Sequence, residues 1–214
     1  MEKNQNEPKV KGLGCLGFTV FGLPLIIGLV VFLFLIGWYT LSSYNKFVDA
    51  NQSVNKTWSS VEIAYQKRMD LIPNLVATVK GYAEHEQETF TAVTEARAKA
   101  TSITVDPENL TEENIAAFEA AQNELSGSLS KLMVSVEAYP QLQANQNFMD
   151  LQSELKVIET EIAANKTAFI SEVEKYNVLV LKFPRNIFAK MFGFKEKNYF
   201  KAKEGADDAP KVEF

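Results

Sequence analysis

Histidine and cysteine are almost missing from this 214-residue chain, which has one of each, His85 and Cys15. A lone cysteine excludes an intramolecular disulfide framework, and a lone histidine excludes any site that needs two imidazoles from one chain. Positive charge is not in excess either. Lys and Arg total 22 against 27 Asp and Glu, a formal net charge of −5, which excludes a polybasic nucleic-acid binder. Glycine is scarce beyond the beginning of the chain, since six of the ten (Gly12, Gly14, Gly17, Gly22, Gly28, Gly37) fall in the first 37 residues. What is present, 46% hydrophobic and 23% charged residues, is too apolar for a disordered tail, and the length suits one globular unit with an appendage.

The appendage is legible as an uncharged run. From Gly12 to Asn45, 34 residues, there is no Asp, Glu, Lys, Arg or His. A bilayer core takes roughly 20 apolar residues in a helix, and Leu16 to Ile36 supply them, with Trp38 and Tyr39 closing the run where aromatic rings settle among headgroups. A cleaved secretory signal has a core of about 7 to 15 residues and a small-x-small site, which only Thr40-Leu41-Ser42 loosely resembles, so the expectation is a permanent signal anchor. Gly12-Leu13-Gly14-Cys15 suggests lipidation, but the apolar stretch follows the cysteine instead of preceding it, and a small residue at the bilayer edge is the simpler reading. Pro24 either kinks the span or marks its true start. Lys3, Lys9 and Lys11 precede the run and Lys46 and Lys56 follow it, a balance leaning toward a bundle outside the cytoplasm.

Beyond Tyr44 the period is helical throughout, and the class expected is all-α. Phe47, Asn51, Val54, Trp58, Val61, Tyr65, Arg68, Ile72, Leu75, Val79 and Tyr82 step by three and four, the seam of a helix packed against neighbours. That helix is expected to continue past Phe90 and Val93 to about Ala100, with Pro73 either kinking it or starting a fresh helix capped by Asp70. Thr101 to Leu110 reads as a connection around Asp106-Pro107. Thr111 caps a second helix, Glu112 to Tyr139, with seam Ile115, Phe118, Gln122, Leu125, Leu129, Leu132, Val136 and Tyr139, ended by Pro140. A third runs from Asn145 to Leu181 along Phe148, Leu151, Leu155, Ile158, Ile162, Asn165, Phe169, Val173, Tyr176 and Val180. Short connections force antiparallel neighbours, so an N-terminal transmembrane helix is expected to precede an antiparallel bundle of three to four long helices. The divisions are residues 1–11 as flank, 12–43 as anchor, 44–183 as bundle and 184–214 as C-terminal segment with a mobile end. Arg68, Asn51 and Asn165 lie on seams, where each must pair across helices or mark where the seam turns outward.

These residues resemble the LemA family of bacterial membrane proteins. The resemblance runs from about Gly37 to the C-terminus and is carried by Tyr44-Asn45, Trp58-Ser59, the stretch Lys67 to Val76, Tyr82, His85-Glu86, Ala96-Arg97, Tyr139-Pro140, Tyr176-Asn177, Phe183-Pro184, Phe192-Gly193-Phe194 and Tyr199-Phe200. It implies one transmembrane helix, a four-helix antiparallel bundle, no established catalysis, and, for some members, likeness to magnetosome membrane proteins. On this basis the region Asp70 to Pro73 is where a fourth helix is expected to break away. Phe169-Ile170 departs from the Tyr-Asn pair the family usually carries there, so any hydrogen bond of that pair is absent.

Catalytic and metal sites find little support, and no catalytic, cofactor-binding or metal residue is assigned. His85-Glu86-Gln87-Glu88 lacks the second histidine of a zinc helix, and of Glu84, Glu86 and Glu88 only the first and last share a helical face. An unrecognised hydrolase or metal-dependent enzyme centred on Arg68 and His85 is the alternative. The leading expectation is a membrane-anchored helical scaffold that self-associates and organises partners or membrane. Arg68, Asp70, Pro73 and Asn74, which mix charge with a helix-breaking proline, are the candidate partner-docking residues. Arg185, Phe188, Lys190 and Phe192 are candidates for contact with a membrane surface, with Ile187, Met191, Phe194, Lys195 and Lys197 beside them. Capping of the bundle core, with Gly193 turning the chain, is the other reading of that segment. The expected partners are the lipid bilayer of the bacterial cytoplasmic membrane, further copies of the chain and other membrane or envelope proteins, with no nucleic acid.

Overall fold

In the computed structural model the backbone is described for residues 14–83 and 85–200, and side chains for residues 23–83 and 85–200. The N-terminal flank, the Cys15 side chain, Glu84 and the tail with Glu204, Asp207 and Asp208 lie outside the described residues. The chain divides into two compact units between Asn45 and Lys46. Among the described residues the helices are α1 (Gly14–Lys80), α2 (Gln87–Ser102), α3 (Glu112–Val136), α4 (Pro140–Gln143), α5 (Gln146–Leu181) and α6 (Arg185–Phe192), with no strand. The all-α expectation is met, and α1, α2, α3 and α5 are the long elements.

In the N-terminal unit α1 passes through Pro24 without interruption, so Pro24 does not mark the start of the helix. From Leu23 to Leu41 the large apolar side chains are exposed by 36 to 74%. This is the one helix among the described residues long and apolar enough to cross a membrane.

In the second unit the seams bury as their spacing predicts. Phe47, Val54, Trp58, Val61, Tyr65, Arg68, Ile72, Leu75 and Val79 of α1 are all buried, while Tyr82 is exposed and Ala83 takes the inward place. The α3 seam is buried from Ile115 to Val136, Thr111 Oγ1 accepts the Asn114 N–H at 3.2 Å, and Asn145 caps α5 by accepting from Phe148 N–H at 3.1 Å. Lys67 pairs with Glu161 at 2.7 Å while Ser60 meets Asn165, and Lys166 pairs with Glu119 at 2.7 Å while Ser126 and Glu159 meet at Arg68, so α5 runs antiparallel to both α1 and α3. Asn165 Nδ2 donates to Ser60 C=O at 3.0 Å, the cross-helix pairing its seam position demanded.

The source of the fourth long helix corrects the sequence reading. The helix α1 neither breaks nor restarts at Asp70–Pro73. It ends at Lys80, and Gly81 to Glu86 turn the chain into α2. Asp70 lies inside the helix, accepting from Gln66 Nε2 at 2.7 Å, and caps nothing. The second expected helix also stops sooner, at Val136, because Pro140 occupies the first turn of α4.

The core is two clusters. One holds Phe47 to Tyr65 and Leu71 of α1, the start of α3, α5 from Ile158 to Val180, Ala189 of α6 and Phe200. The other holds Met69 and Ile72 to Val79 of α1, all four buried residues of α2, the rest of α3, Leu142 and Phe148. Since α2 has only 16 residues, it covers only the second cluster, and the C-terminal segment covers the first.

Candidate functional site

Arg68 sits where the two clusters meet, between Tyr65 and Met69 on α1, facing the Gln122 turn of α3 and Glu159 of α5. The residue is 1% exposed. Nη1 donates to Ser126 Oγ at 2.8 Å and to Glu159 Oε1 at 2.9 Å, Nη2 donates to the Gln122 side-chain and backbone carbonyls, and the guanidinium lies 5.0 Å from the Tyr65 ring centroid. Burial pushes the Tyr65 hydroxyl up to about 12, with the Arg68 charge working against that rise. A planar fork meeting partners on two other helices fixes their register, so the cross-helix pairing reading holds for Arg68. It is not on the surface and offers no docking group.

One turn on, Pro73 has no N–H for the carbonyl of Met69, four residues before it. That carbonyl is not left alone, because Arg97 Nε of α2 donates to it at 2.8 Å. The proline is thus accommodated by a side chain from the neighbouring helix. Asp70, Pro73 and Asn74 remain exposed on the outer side of α1. The four docking candidates therefore divide into one interior residue and three surface residues.

His85 is exposed in the turn after α1. Arg68 lies 12 helical residues before Lys80, roughly 18 Å along the axis, so Arg68 and His85 are not brought together. Glu86 takes the hydroxyl of Tyr139 at 3.4 Å. Among the described residues no group of three or more His, Cys, Asp or Glu is placed to hold a metal ion.

A second polar cluster was not singled out from the sequence. Lys197 is 7% exposed, with Nζ donating to Pro107 C=O at 2.7 Å and lying 3.9 Å from Glu108. Asn51 and Asn55, one turn apart on α1, both donate to the Glu108 carboxylate. The Asn51 hydrogen bond leads in holding that carboxyl below the usual range, while burial lowers the Lys197 ammonium. The cluster edges a cleft of about 550 Å³ bordered by Tyr176 and residues 192–198. Asn177 fastens this stretch by donating Nδ2–H to Lys197 C=O at 2.7 Å and accepting Lys197 N–H at 2.9 Å. The available signal was Asn51 itself, a polar seam residue needing a partner, but Glu108 is 57 positions away.

In the C-terminal segment some residues cap the bundle core, as one of its two sequence readings expects, and others stay exposed. Phe188 packs against the core, Ala189 is buried, Gly193 turns the chain at φ +80°, and the Phe194 ring lies 5.1 Å from that of Phe47. Arg185 is half-buried, so Arg185 and Phe188 do not form the outward face. Lys190 is exposed and Phe192 is 37% exposed, while Phe183, Ile187 and Met191 stand at 76, 56 and 63%.

A profile of the LemA family matches residues 57–214. Magnetosome protein MamQ 2 of Paramagnetospirillum magneticum is 27% identical over 184 residues, covering 78% of this chain and 68% of that protein. MamQ of Magnetospirillum gryphiswaldense gives the same identity and coverage. Protein LemA of Metamycoplasma hominis is 21% identical over 171 residues, covering 80% of this chain and 68% of that one.

Proposed function

Because the chain belongs to the LemA family, we propose that it works as a single-pass, membrane-anchored helical scaffold that self-associates and receives partner proteins, without catalysis of its own. The observation that carries this reading is the apolar surface of residues 23 to 41, exposed by 36 to 74%, which needs a lipid surrounding to be stable in water. The bundle adds support. Its most conspicuous buried cation, Arg68, is committed to three helices, and His85 stands apart from it, so the residues of the enzymatic alternative are not assembled. The surface trio Asp70, Pro73 and Asn74 is the proposed docking patch. The lysine balance, three before the apolar run and two after, orients the bundle away from the cytoplasm.

The test is crosslinking in native membranes followed by mass spectrometry, on membranes first washed with alkaline carbonate. The chain should stay in the washed pellet and yield links between copies or to recurring partners. A strictly monomeric chain without reproducible partners sinks the scaffold reading. Impermeant labelling of single cysteines at Gly12 and at exposed Gly127, in a Cys15→Ser background, tests the orientation, and reaction at Gly12 alone in intact cells reverses it.

A further inference from the structure

The outward face of α6 has no use in the scaffold reading. Ile187 and Met191 are one helical turn apart, Phe183 lies just before the helix, and all three are more than half exposed, whereas Phe188 and Ala189 are packed. The charge around them is of one sign. From Leu181 to Lys195 there is no Asp or Glu but Lys182, Arg185, Lys190 and Lys195, a net of +4. The chain's total is −5 and residues 1–45 contribute +1 (three Lys, two Glu), so residues 46–214 carry −6 and this segment stands out against its own unit.

The chain also limits where the segment can go. Phe194 packs on Phe47, and Phe47 follows Trp38 by nine residues, at most about 30 Å of chain however it runs. On the membrane-anchored reading, on which this inference rests, Trp38 lies at the headgroup layer, so the length of chain allows the end of α6 to reach lipid.

We propose that Phe183, Ile187 and Met191, flanked by Lys182, Lys190 and Lys195, lie on the anionic headgroup layer of the bilayer that holds the anchor. Apolar side chains at the acyl boundary with lysines reaching to anionic headgroups are the arrangement of an interfacial helix. A single short helix binds lipid weakly, but attachment through the anchor makes the encounter intramolecular. The face therefore serves as a second, charge-dependent foot for the bundle.

The test uses the full chain with Cys15→Ser, one copy per nanodisc, in phosphatidylcholine alone or mixed with phosphatidylglycerol. Nitroxides are placed singly at Val30→Cys, Met191→Cys and Val157→Cys, the last an exposed α5 position. Collision with oxygen against a water-soluble nickel chelate is then measured. Met191 should be shielded from nickel several-fold more than Val157 in the anionic discs, and Lys182→Glu with Lys190→Glu should abolish the difference. A nickel accessibility at Met191 equal to that at Val157, with Val30 still immersed, overturns the inference and leaves the anchor standing. Water exposure at Val30 overturns the anchor itself. Shielding that is the same in neutral lipid and indifferent to charge reversal, or that appears only when two copies share a disc, assigns the face to something other than anionic lipid and also overturns it.

Discussion

The Met69 carbonyl offers a direct test of how the long helix tolerates Pro73. With no N–H at position 73, that carbonyl depends on Arg97 Nε at 2.8 Å. Replacing Arg97 by Met keeps most of the stem's volume and removes the donor, leaving a carbonyl in a residue that is 7% exposed. A hydrogen bond from a charged donor contributes about 1.5–3 kcal/mol, so Arg97→Met is expected to cost about 2 kcal/mol. In a Pro73→Ala background the backbone amide of residue 73 takes over the carbonyl. The same Arg97→Met change should then cost about 1 kcal/mol less, and this coupling is what a double-mutant cycle isolates.

The assay is urea unfolding of the full chain in mild detergent, followed by the fluorescence of Trp58, which is fully buried, in a Trp38→Phe background. Four midpoints and slopes complete the cycle. Losses that agree in the two backgrounds within about 0.3 kcal/mol would mean that Arg97 acts through something other than the proline's orphaned carbonyl, and the account of the uninterrupted helix would fail.

Arg68→Lys keeps the charge but cannot reach Gln122, Ser126 and Glu159 together, and a loss of about 2 kcal/mol by urea midpoint is expected; a neutral result would show that charge alone suffices. Tyr65, whose hydroxyl is raised by burial to about 12, retains its proton when the unfolded tyrosine, near 10, has lost its own, so its contribution is complete below pH 10 and disappears as pH rises toward 12. Tyr65→Phe should flatten that alkaline decline, read from urea midpoints across the range. Lys197 has the opposite sign: burial lowers its ammonium, the unfolded chain holds the proton longer, and stability gains as pH rises toward 10.5, a gain that Lys197→Met should remove. Phe200→Ala should cost about 3–4 kcal/mol, since the ring stacks 5.9 Å from Trp58 and is 4% exposed; a loss under about 1 kcal/mol would show that the C-terminal segment is not part of the core.

The seams were readable because burial in an all-α unit follows a local period. Most residues placed at a three-four spacing on α1, α3 and α5 are buried, Asn51, Leu151, Leu155 and Asn165 being half-buried, and the side-chain caps at Thr111 and Asn145 depend on residues three positions away. The break in α1 was misplaced for a reason of the same kind. A proline is penalised by its immediate neighbours, whereas what accommodates Pro73 is Arg97, 24 positions downstream on another helix. Lys80-Gly81, a basic last turn followed by glycine, was the better local stop signal. The Lys197 cluster is not legible in the sequence because Asn51, Glu108 and Lys197 come from three distant segments, and Lys197 reads there as one more basic residue of the surface segment around α6, whereas it is buried. Arg68 was flagged by its seam position, but spacing alone could not decide between interior pairing and surface docking.

The short α2 explains why the C-terminal segment is needed at all. Sixteen helical residues cover α1 only from Met69 onward, leaving the first cluster open on one side. Asn177 bonds both backbone groups of Lys197 and holds an extended strip in that gap, which delivers Phe200 onto Trp58 and Phe169. Phe169 contributes an apolar ring 5.2 Å from Trp58 with no hydroxyl to satisfy. The same strip carries Phe194 onto Phe47, so the beginning of the bundle and the strip after α6 meet at one end of it. A change that loosens Asn177 should therefore be felt at Phe47, 130 positions earlier, before it is felt in the second cluster around Leu75 and Leu132.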